Sequence, residues 1–298
     1  MTTIPDAFMK NPSQAFAEND PVIFYDRKER LYYDVLRPGR QTNIRGDLLP
    51  HDQIIGRCEG FILRSQRDKP YWVFRPTLND HVVHMRRGAT VIYPKDLGLM
   101  LQYADIYPGA TVVESGLGSG ALATALLRMV GAEGRVISYE IRQDFINLAQ
   151  RNLRVFAGET PNHTVRELDI YERFDEEEVD RLLLDVPEPW RVLPGATPKL
   201  RAGAIVCSYS PTIIQAKSFV EALRAEHCFV AIQTLEAMLR PWNIAGLSVR
   251  PALRMVGHTG FLTFARKTEK SAFVPEAQPE ADTTDAGISS EEEHEAQA

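Results

Sequence analysis

The stretch Val112-Val-Glu-Ser-Gly-Leu-Gly-Ser-Gly-Ala-Leu122 decides the fold of this chain. Two valines and an acid precede three glycines at alternate positions, and an apolar run then continues to Val130. Glycines let a backbone turn tightly and approach a ligand closely, and the free N–H groups of a helix N-terminus favour a phosphate or carboxylate. The stretch predicts a strand at Thr111–Ser115, a glycine-rich turn and a helix from Gly120 to Val130. This arrangement is typical of a nucleotide-type site.

The residues after this turn alternate between strand-type and helix-type patterns. Further strands are predicted at Arg135–Tyr139, Thr164–Glu167, Leu182–Leu184, Ala204–Tyr209, Phe229–Thr234 and Phe261–Ala265, and helices at Gln143–Phe156 and Pro211–Ala225. Strands that alternate with helices are typical of a largely parallel sheet with helices on both faces. The connection Arg240–Pro251 is long, polar and aromatic. A connection of this length favours a functional loop.

The residues before about 88 have a different, β-type pattern. Val22–Tyr25 and Leu31–Leu36 predict a hairpin around the turn Asp26–Arg30. Further short strands are predicted at Gln53–Ile55, Gly60–Arg64 and Tyr71–Arg75. We therefore expect four regions: a flexible arm (1–19), a small β domain (20–88), a larger α/β domain (89–268) and a disordered acidic tail (269–298).

The charge of the chain is distributed unevenly. Ser271–Ala298 contains eight acidic residues and no lysine or arginine, so the rest of the chain carries 32 acids against 34 lysines and arginines. This weakly basic body is compatible with an anionic partner, although the whole chain has a formal charge of −6. The tail has almost nothing to bury, and we expect it to be disordered. It is either a solvated tail or an internal mimic of nucleic acid.

Composition excludes several classes of protein. With 44% hydrophobic and 25% charged residues, the chain is neither fibrous nor wholly disordered. It has no apolar run of about 18 residues, and its first residues lack a signal pattern, so we expect a cytoplasmic protein without membrane association. Cys58, Cys207 and Cys228 stand far apart without a Cys-x-x-Cys pair. Neither a disulfide framework nor a bound metal is therefore expected.

Acidic residues accompany the glycine-rich turn and the next strand. Glu114 stands two residues ahead of Gly116, and Glu140 follows the second strand, 24 residues after Gly116. A carboxylate at Glu140 can accept hydrogen bonds from both ribose hydroxyls of a nucleoside, in NAD as well as in S-adenosylmethionine. The register Gly116-x-Gly118-x-x-Ala121 satisfies the nicotinamide pattern. Both cofactors therefore remain open at this point, as does a tight turn without a ligand.

Two further acids stand at predicted strand ends. Asp185 follows Leu182–Leu184 and precedes Pro187 and Trp190. Ligands bind at the carboxyl edge of an open α/β sheet, and prolines stiffen the loop that follows. Asp185 is thus either a ligand-facing acid or a turn or N-cap carboxylate. Asp169 follows the third strand, where it is either a partner for an adenine amino group or a surface acid.

Several motifs together resemble one known family. They are Tyr93–Asp96, the glycine-rich loop, Ser138–Glu140, Asp185–Trp190, Tyr209 and Gly257–Phe261. From about Gly56 to Lys267, including the segment from Arg75 to Leu78, the chain resembles the bacterial and archaeal tRNA (adenine-58-N1)-methyltransferases. The resemblance implies an α/β, Rossmann-like class I methyltransferase sheet with helices on both faces, preceded by a small N-terminal β domain. It also implies S-adenosylmethionine as cofactor, tRNA as substrate and a homotetramer.

The resemblance also implies roles for residues of this sequence. Glu140 would hold the ribose of the cofactor and Asp169 its adenine. Asp185 would face the target base as the catalytic residue, with Tyr93 and Tyr209 beside it. The other residues implied are Glu114, Gly116, Gly118, Ser119, Gly120, Ala121, Leu122, Phe145 and Asp185 for the cofactor, and His258, otherwise a core histidine, for the substrate.

The sequence departs from the family's pattern in three places. Position 115 is Ser where Ala is usual, and the loop after the fourth strand reads Val-Pro-Glu-Pro-Trp where more variable, apolar residues are expected before Pro-Trp. Phe145 stands where some relatives have His. None of these changes removes a carboxylate that the chemistry needs.

The implied reaction is methyl transfer to N1 of adenosine 58 in the T loop of tRNA. Transfer from a sulfonium needs no metal, so the enzyme contributes chiefly positioning. Asp185 would accept a hydrogen bond from the N6 amino group and stabilise the charge that grows on the ring. Because N1 is on the base-pairing edge, the base must leave its stack, and Tyr93 and Tyr209 would receive it. Cations that would contact the tRNA backbone, or are simply solvated, are Arg86, Arg87, Lys95, Arg240, Arg250 and Arg254.

Other functions are compatible with the same fold. A methyltransferase for a small molecule or a protein would use the same cofactor loop, but it would not need the small β domain. A non-catalytic RNA-binding subunit would keep the fold, although the intact Glu140, Asp169 and Asp185 argue against it. A nicotinamide oxidoreductase is the third alternative.

Overall fold

The computed structural model describes residues 14–88 and 90–269, so the predicted disorder of the acidic tail, and most of the predicted arm, lie outside the described residues. The N-terminal strands are β1 (Pro21–Tyr25), β2 (Leu31–Val35), β3 (Gln41–Ile44), β4 (Asp47–Pro50), β5 (Phe61–Arg64) and β6 (Pro70–Phe74). Four of them form an antiparallel sheet in the order β2-β1-β6-β5, and β3 and β4 form a separate hairpin. The predicted hairpin around Asp26–Arg30 is confirmed.

The small sheet has its own apolar core, which includes Phe16 from the segment before β1. The guanidinium of Arg75 lies 4.5 Å from the centroid of the Phe16 ring, and its Nη1 is 2.8 Å from Asp20. The strand predicted at Gln53–Ile55 is wrong, because a short 3₁₀ helix occupies His51–Gln53. The backbone turns there to bury the His51 ring, whose Nδ1 accepts the N–H of Arg37 at 2.9 Å.

The second part of the chain alternates strands and helices. Its helices are α1 (Leu78–His84), α2 (Pro94–Tyr103), α3 (Ala121–Val130), α4 (Gln143–Ala157), α5 (Leu193–Ala196) and α6 (Ile213–Ala225). Its strands are β7 (Thr111–Ser115), β8 (Arg135–Tyr139), β9 (His163–Arg166), β10 (Val179–Leu184), β11 (Leu200–Ser210), β12 (Phe229–Glu236), β13 (Trp242–Ala245), β14 (Ser248–Pro251) and β15 (Phe261–Lys267). Seven strands form one mixed sheet in the order β12-β15-β11-β10-β7-β8-β9. Strand β15 runs antiparallel to both of its neighbours.

The seven-stranded sheet is covered by helices on both faces. The side chains of β10 are buried throughout, as expected for a central strand with two covered faces. One core cluster joins the sheet to α2, α3 and α4, and a second joins its other face to α5 and α6. The predicted α/β fold class with a small N-terminal β region is therefore confirmed.

The connection between β12 and β15 differs from its prediction. Residues 242–251 form the two-stranded hairpin β13–β14, which we call the apolar hairpin, and not an irregular polar loop. Trp242 is 56% exposed and Ile244 76% exposed, so the hairpin carries large apolar side chains that the described part of the chain leaves uncovered. Within the described ranges, no helix combines the length and the apolar character needed to cross a membrane.

Candidate functional site

The candidate site lies at the carboxyl edge of the seven-stranded sheet, beside its central strand. From β7 the chain continues to β8 and β9 on one side, whereas β10 and β11 lie on the other side. The order of the strands therefore reverses direction beside β7, which makes this position a topological switch point. The crevice outside the strand ends at such a point is the usual ligand site of an open α/β sheet. The N–H of Asp185 donates to the carbonyl of Ser115 at 2.8 Å, which joins the loops after β7 and β10 in this crevice.

At two glycines of the turn after β7, a side chain would be crowded and would require a strained backbone conformation. Gly116 has a φ of 91°, and a Cβ on it would overlap the carbonyl oxygen of Asp185. Gly120 has a φ of 83°, and a Cβ on it would lie 3.1 Å from that of Ala149 on α4. Positive φ and close approach both favour glycine. The spacing of the glycines is therefore a packing requirement of the turn as well as a feature of a ligand loop.

Glu140 follows β8 and is held by backbone donors. Its Oε2 accepts the N–H of Gly118 at 3.1 Å, and its Oε1 accepts the N–H groups of Ile141 and Arg142 at 2.9 and 3.0 Å. These bonds fix one carboxylate against the glycine-rich turn at the edge of the crevice. Each oxygen of a carboxylate has a further acceptor position, so the group can still receive hydroxyl donors.

A cavity of about 400 Å³ fills the crevice. The predicted residues that line it are Gly116, Gly118, Ser119, Ala121, Leu122, Glu140, Phe145, Asp169 and Asp185. Gly120, Glu114, Tyr93, Tyr209 and His258 are not among its lining residues. The prediction missed the segment 90–92, which forms part of the wall just before the Tyr93 motif, and Tyr171 from the loop after β9. Residues 90–92 directly precede the Tyr93 motif in sequence, and this proximity could have indicated that they belong to the site.

Among the acidic residues that line the cavity, Asp185 has the most strongly shifted pKa. Burial raises the pKa of its carboxyl group to about 7. Its side chain makes no hydrogen bond to another residue in the described part of the chain, so it neither caps a helix nor closes a turn. A half-buried carboxyl group with a free acceptor and a pKa near neutrality is suited to binding a donor of a ligand.

Glu114 lies beneath the turn, at 1% exposure, and does not face the cavity. The hydroxyl of Ser138 is 2.6 Å from its Oε1 and 2.8 Å from Nε2 of His163, while its Oε2 has no partner among the described residues. Burial raises the pKa of Glu114 to about 8, and burial lowers that of His163 to about 4. Both side chains are therefore uncharged at pH 7.

Tyr209 stands at the end of β11 with its ring largely buried. Its hydroxyl donates to the carbonyl of Thr259 at 2.6 Å, and a Cβ on Gly260 would lie 2.5 Å from its Cζ, so a glycine is required there. Burial, together with the charges of Asp96 and Asp185, raises the pKa of Tyr209 to about 12. Tyr93 is half-exposed and lines a neighbouring, largely apolar pocket of about 540 Å³.

His258 is engaged by its own chain. Its Nδ1 lies 2.6 Å from Oε1 of Glu236 and its Nε2 lies 2.8 Å from the carbonyl of Pro211. Both partners are acceptors, so the ring bonds to both only when it is protonated. The hydrogen bond with Glu236 is the main cause that raises the pKa of His258.

Lys95 is not an exposed cation, so the alternative of a simply solvated cation is wrong, and its contact with tRNA stays a prediction. Its side chain is 8% exposed, and Nζ lies 2.8 Å from Oδ1 of Asp96, 2.5 Å from the hydroxyl of Thr259 and 2.8 Å from the carbonyl of Ala237. Thr259 in turn donates to Asp96 at 2.6 Å. This buried network attaches the start of α2 to both ends of the connection between β12 and β15.

A buried amide joins the turn to the segment before it. Nδ2 of Asn152 on α4 donates to the carbonyls of Arg86 at 2.8 Å and Ser119 at 2.9 Å. The N–H of Gly88 donates to the hydroxyl of Ser119 at 3.2 Å. The sequence analysis does not single out Asn152. Its position, as a polar residue on the apolar face of the predicted helix, is the pattern that could have indicated its role.

Comparison with known proteins identifies the family of this chain. A family model described as the tRNA methyltransferase complex GCD14 subunit matches residues 71–249, and a TrmI-like N-terminal model matches residues 15–63. The chain is 34% identical to the tRNA (adenine(58)-N(1))-methyltransferase TrmI of Thermus thermophilus over 252 residues, which is 84% of this chain and 98% of that one. The chain belongs to the GCD14/TrmI family. The resemblance expected from the motifs is thereby confirmed.

Further relatives support the assignment of this chain to the GCD14/TrmI family. It is 36% identical to the tRNA (adenine(57)-N(1)/adenine(58)-N(1))-methyltransferase TrmI of Methanocaldococcus jannaschii, over 70% of this chain and 82% of that one. The tRNA (m1A58) methyltransferase structure from Aquifex aeolicus superimposes with a TM-score of 0.74 at 28% identity, over 86% of this chain and all of that one. A SAM-dependent O-methyltransferase structure from Thermotoga maritima gives a TM-score of 0.81 at 29% identity, over 87% and 96%.

Proposed function

We propose that this chain transfers a methyl group from S-adenosylmethionine to N1 of adenosine 58 in the T loop of tRNA. The single observation that carries the proposal is Asp185, which lines the switch-point cavity with an unused carboxyl group in a chain of the GCD14/TrmI family. An enzyme of this kind needs no metal, because the methyl donor is already activated.

The residues present fit S-adenosylmethionine. Glu140 offers free acceptor positions for ribose hydroxyls, and Asp169, whose Oδ1 accepts the N–H of Tyr171 at 2.9 Å, has a second oxygen for an adenine amino group. Phe145 and Leu122 supply apolar walls. The cofactor, when bound, supplies a methyl group on a positive sulfur. The chain's own contribution is to hold this donor and to exclude water from it.

Glu140→Ala tests this cofactor assignment. Loss of the carboxylate removes two ribose acceptors, each worth about 1.5 to 3 kcal/mol when the acceptor is charged. We expect calorimetry to show weaker binding of S-adenosylmethionine and of its demethylated product, and a smaller rise in melting temperature with either ligand. Glu133→Gln, on the exposed surface before β8, is the matched control. Unchanged affinity in Glu140→Ala would remove Glu140 from the site.

Asp185 acts on the acceptor base in the proposed reaction. Its carboxylate accepts a hydrogen bond from the N6 amino group, which orients the ring and stabilises the positive charge that develops as N1 is methylated. The base leaves its stack to expose N1, and the rings of Tyr93 and Tyr209 contact it. His258, held between Glu236 and Pro211, would lie at the substrate side as a cation.

We also propose that copies of this chain assemble, with a homotetramer as the expected form. The apolar hairpin supports this, because Ile244 and Val249 are 76% and 60% exposed in a single chain. Exposed apolar patches of this kind mark interaction sites. A cytoplasmic location is proposed on the ground that tRNA is the substrate.

The decisive experiment is mass spectrometry of nucleosides after incubation of unmodified tRNA with labelled S-adenosylmethionine. The expected product is labelled 1-methyladenosine, absent when adenosine 58 is replaced by guanosine. A ribose O-methyl product would favour the O-methyltransferase activity named for the Thermotoga structure. A labelled small molecule or protein, or no transfer with intact RNA binding, would overturn the proposal in favour of the other two alternatives.

A further inference from the structure

A cleft of about 900 Å³ separates the small sheet from α4. Residues of β2, of the turn after it, of α1 and of α4 form its walls. Five arginines line it: Arg37, Arg40, Arg86, Arg151 and Arg154. All five are exposed, and they come from three separate parts of the chain. The fold therefore concentrates positive charge in a place that no local run of basic residues marks in the sequence.

Four of these five arginines form no ion pair with the described residues around them. Arg154 pairs with Glu159 at 3.3 Å, while the guanidinium groups of the other four have no carboxylate within salt-bridge distance in the described ranges. Asp34 is the one acid among the described residues that line the cleft. Its oxygens already accept the N–H of Val35 at 2.8 Å and the hydroxyl of Thr42 at 2.7 Å. A group of unpaired arginines around a cleft attracts an anion from solution.

The cleft also contains flat polar rings. Tyr33 and His84 stack with their centroids 6.3 Å apart and their planes 6° from parallel, and the hydroxyl of Tyr33 is 3.1 Å from Nδ1 of His81. Arginine forks match the geometry of phosphate oxygens, and aromatic rings accept sugars or bases beside them. This combination is more typical of a nucleic acid site than of a site for a small inorganic anion.

The cleft and the cofactor cavity share a wall. Arg86 and Asn152 line the cleft and Ser119 lines the cavity, and Nδ2 of Asn152 donates to the carbonyls of both Arg86 and Ser119. An RNA whose target adenosine enters the cavity must extend its backbone over the adjoining surface. The cleft is one part of that surface with an excess of positive charge.

We propose that this cleft binds the ribose-phosphate backbone of tRNA, at a distance from the methylated base. The inference rests on the proposed function, which names tRNA as the substrate. It differs from the expectation drawn from sequence alone, because Arg37, Arg40, Arg151 and Arg154 were not among the cations expected to contact tRNA. The basic site is assembled between the two sheets, so the small β region contributes to substrate binding.

The test is the triple variant Arg37→Gln/Arg40→Gln/Arg151→Gln of the full chain. Binding of unmodified tRNA is measured by fluorescence anisotropy over a series of salt concentrations. We expect at least a tenfold loss of affinity at low salt, and a salt slope that falls by roughly 0.7 to 0.9 for each phosphate that the protein no longer neutralises. Affinity for S-adenosylmethionine and the single-turnover rate at saturating tRNA should stay near wild-type values.

Arg128→Gln/Arg224→Gln is the matched control, because both arginines are exposed on α3 and α6, outside the cleft and without an ion pair among the described residues. The inference is overturned if the triple variant binds tRNA with wild-type affinity and salt slope, or if the control loses as much. Failure of the proposed function is distinguishable, because wild-type protein would then yield no 1-methyladenosine whatever its affinity for tRNA. If deletion of residues 271–298 restored wild-type affinity to the triple variant, the cleft would instead be a site that restrains the acidic tail, and the inference would fall.

Discussion

The loop after β10 places a carboxyl group where a ligand is its best available partner. Burial raises the pKa of Asp185 to about 7, and no described residue competes for its oxygens. We expect Asp185→Ala to fold and to bind tRNA, while single-turnover methyl transfer falls by at least roughly 10²-fold. Asp185→Asn keeps one acceptor and should retain more activity than Ala. Wild-type rates in Asp185→Ala would exclude the catalytic role, and loss of folding would indicate a structural one.

The same pKa gives the direction of the pH dependence. A protonated Asp185 cannot accept from N6 on its hydroxyl oxygen as an anion does, so kcat/KM should rise with pH and level off above about 7. Asp185→Asn does not titrate and should lose this rise. A wild-type profile that is flat between pH 5.5 and about 8 would contradict the assignment.

Glu114 gives a prediction for stability. The ordinary pKa of a glutamate, 4.5, applies to the unfolded chain, whereas the pKa of Glu114 in the folded chain is about 8. At a pH between these two values, the folded chain therefore holds a proton that the unfolded chain has released. The stabilisation is complete below the ordinary pKa and is lost as pH rises towards 8, at up to about 1.4 kcal/mol per unit. Glu114→Gln stays neutral, and its denaturation midpoint should change less between pH 5 and 8. The exposed Glu133→Gln should follow the wild-type curve, and an equal slope in all three proteins would contradict the buried neutral state.

At the scale of elements, α4 supports the glycine-rich turn through one side chain. Asn152 donates to the carbonyls of Arg86 and Ser119; the bond to Ser119 is buried and the bond to Arg86 is partly buried. Asn152→Ala leaves two carbonyls without a donor, at a cost of about 1 to 3 kcal/mol. We expect a lower melting temperature and weaker binding of S-adenosylmethionine.

The exposed Asn147→Ala on the same helix serves as the control for Asn152→Ala. If Asn152→Ala loses stability but keeps full cofactor affinity, the amide supports only the core. If neither property changes, the two hydrogen bonds contribute nothing to stability or to cofactor binding in solution.

The elements that sequence predicted well are those whose signal is local. The strand and helix around Gly116–Gly120 follow from glycine spacing and an apolar run, and Glu140, Asp169 and Asp185 follow from their places after strands. The apolar hairpin was not predicted, although Trp242, Ile244 and Val249 alternate with polar residues, because strands of four residues give only a weak local signal. Lys95 and Asn152 depend on partners distant in sequence, so no local pattern indicates their roles.

At the scale of the whole molecule, charge is divided between a basic cleft and an acidic C-terminal sequence. Ser271–Ala298 carries eight acids and no lysine or arginine. If these acids compete with RNA, deletion after Lys270 should tighten tRNA binding at low salt and have less effect at high salt, where screening is stronger. Anisotropy with both proteins at two salt concentrations measures this. Equal affinities at low salt would leave a solvated tail as the interpretation.

If copies of this chain cover the apolar hairpin, the stability of the folded chain depends on the protein concentration. Trp242 and Ile244 gain little from folding within one chain, since 56% and 76% of their surfaces stay in water. Any association that covers them stabilises only the folded state, by a contribution that grows with the logarithm of protein concentration. Dilution would then act as a mild denaturant, and folding and assembly would form one linked equilibrium governed by mass action.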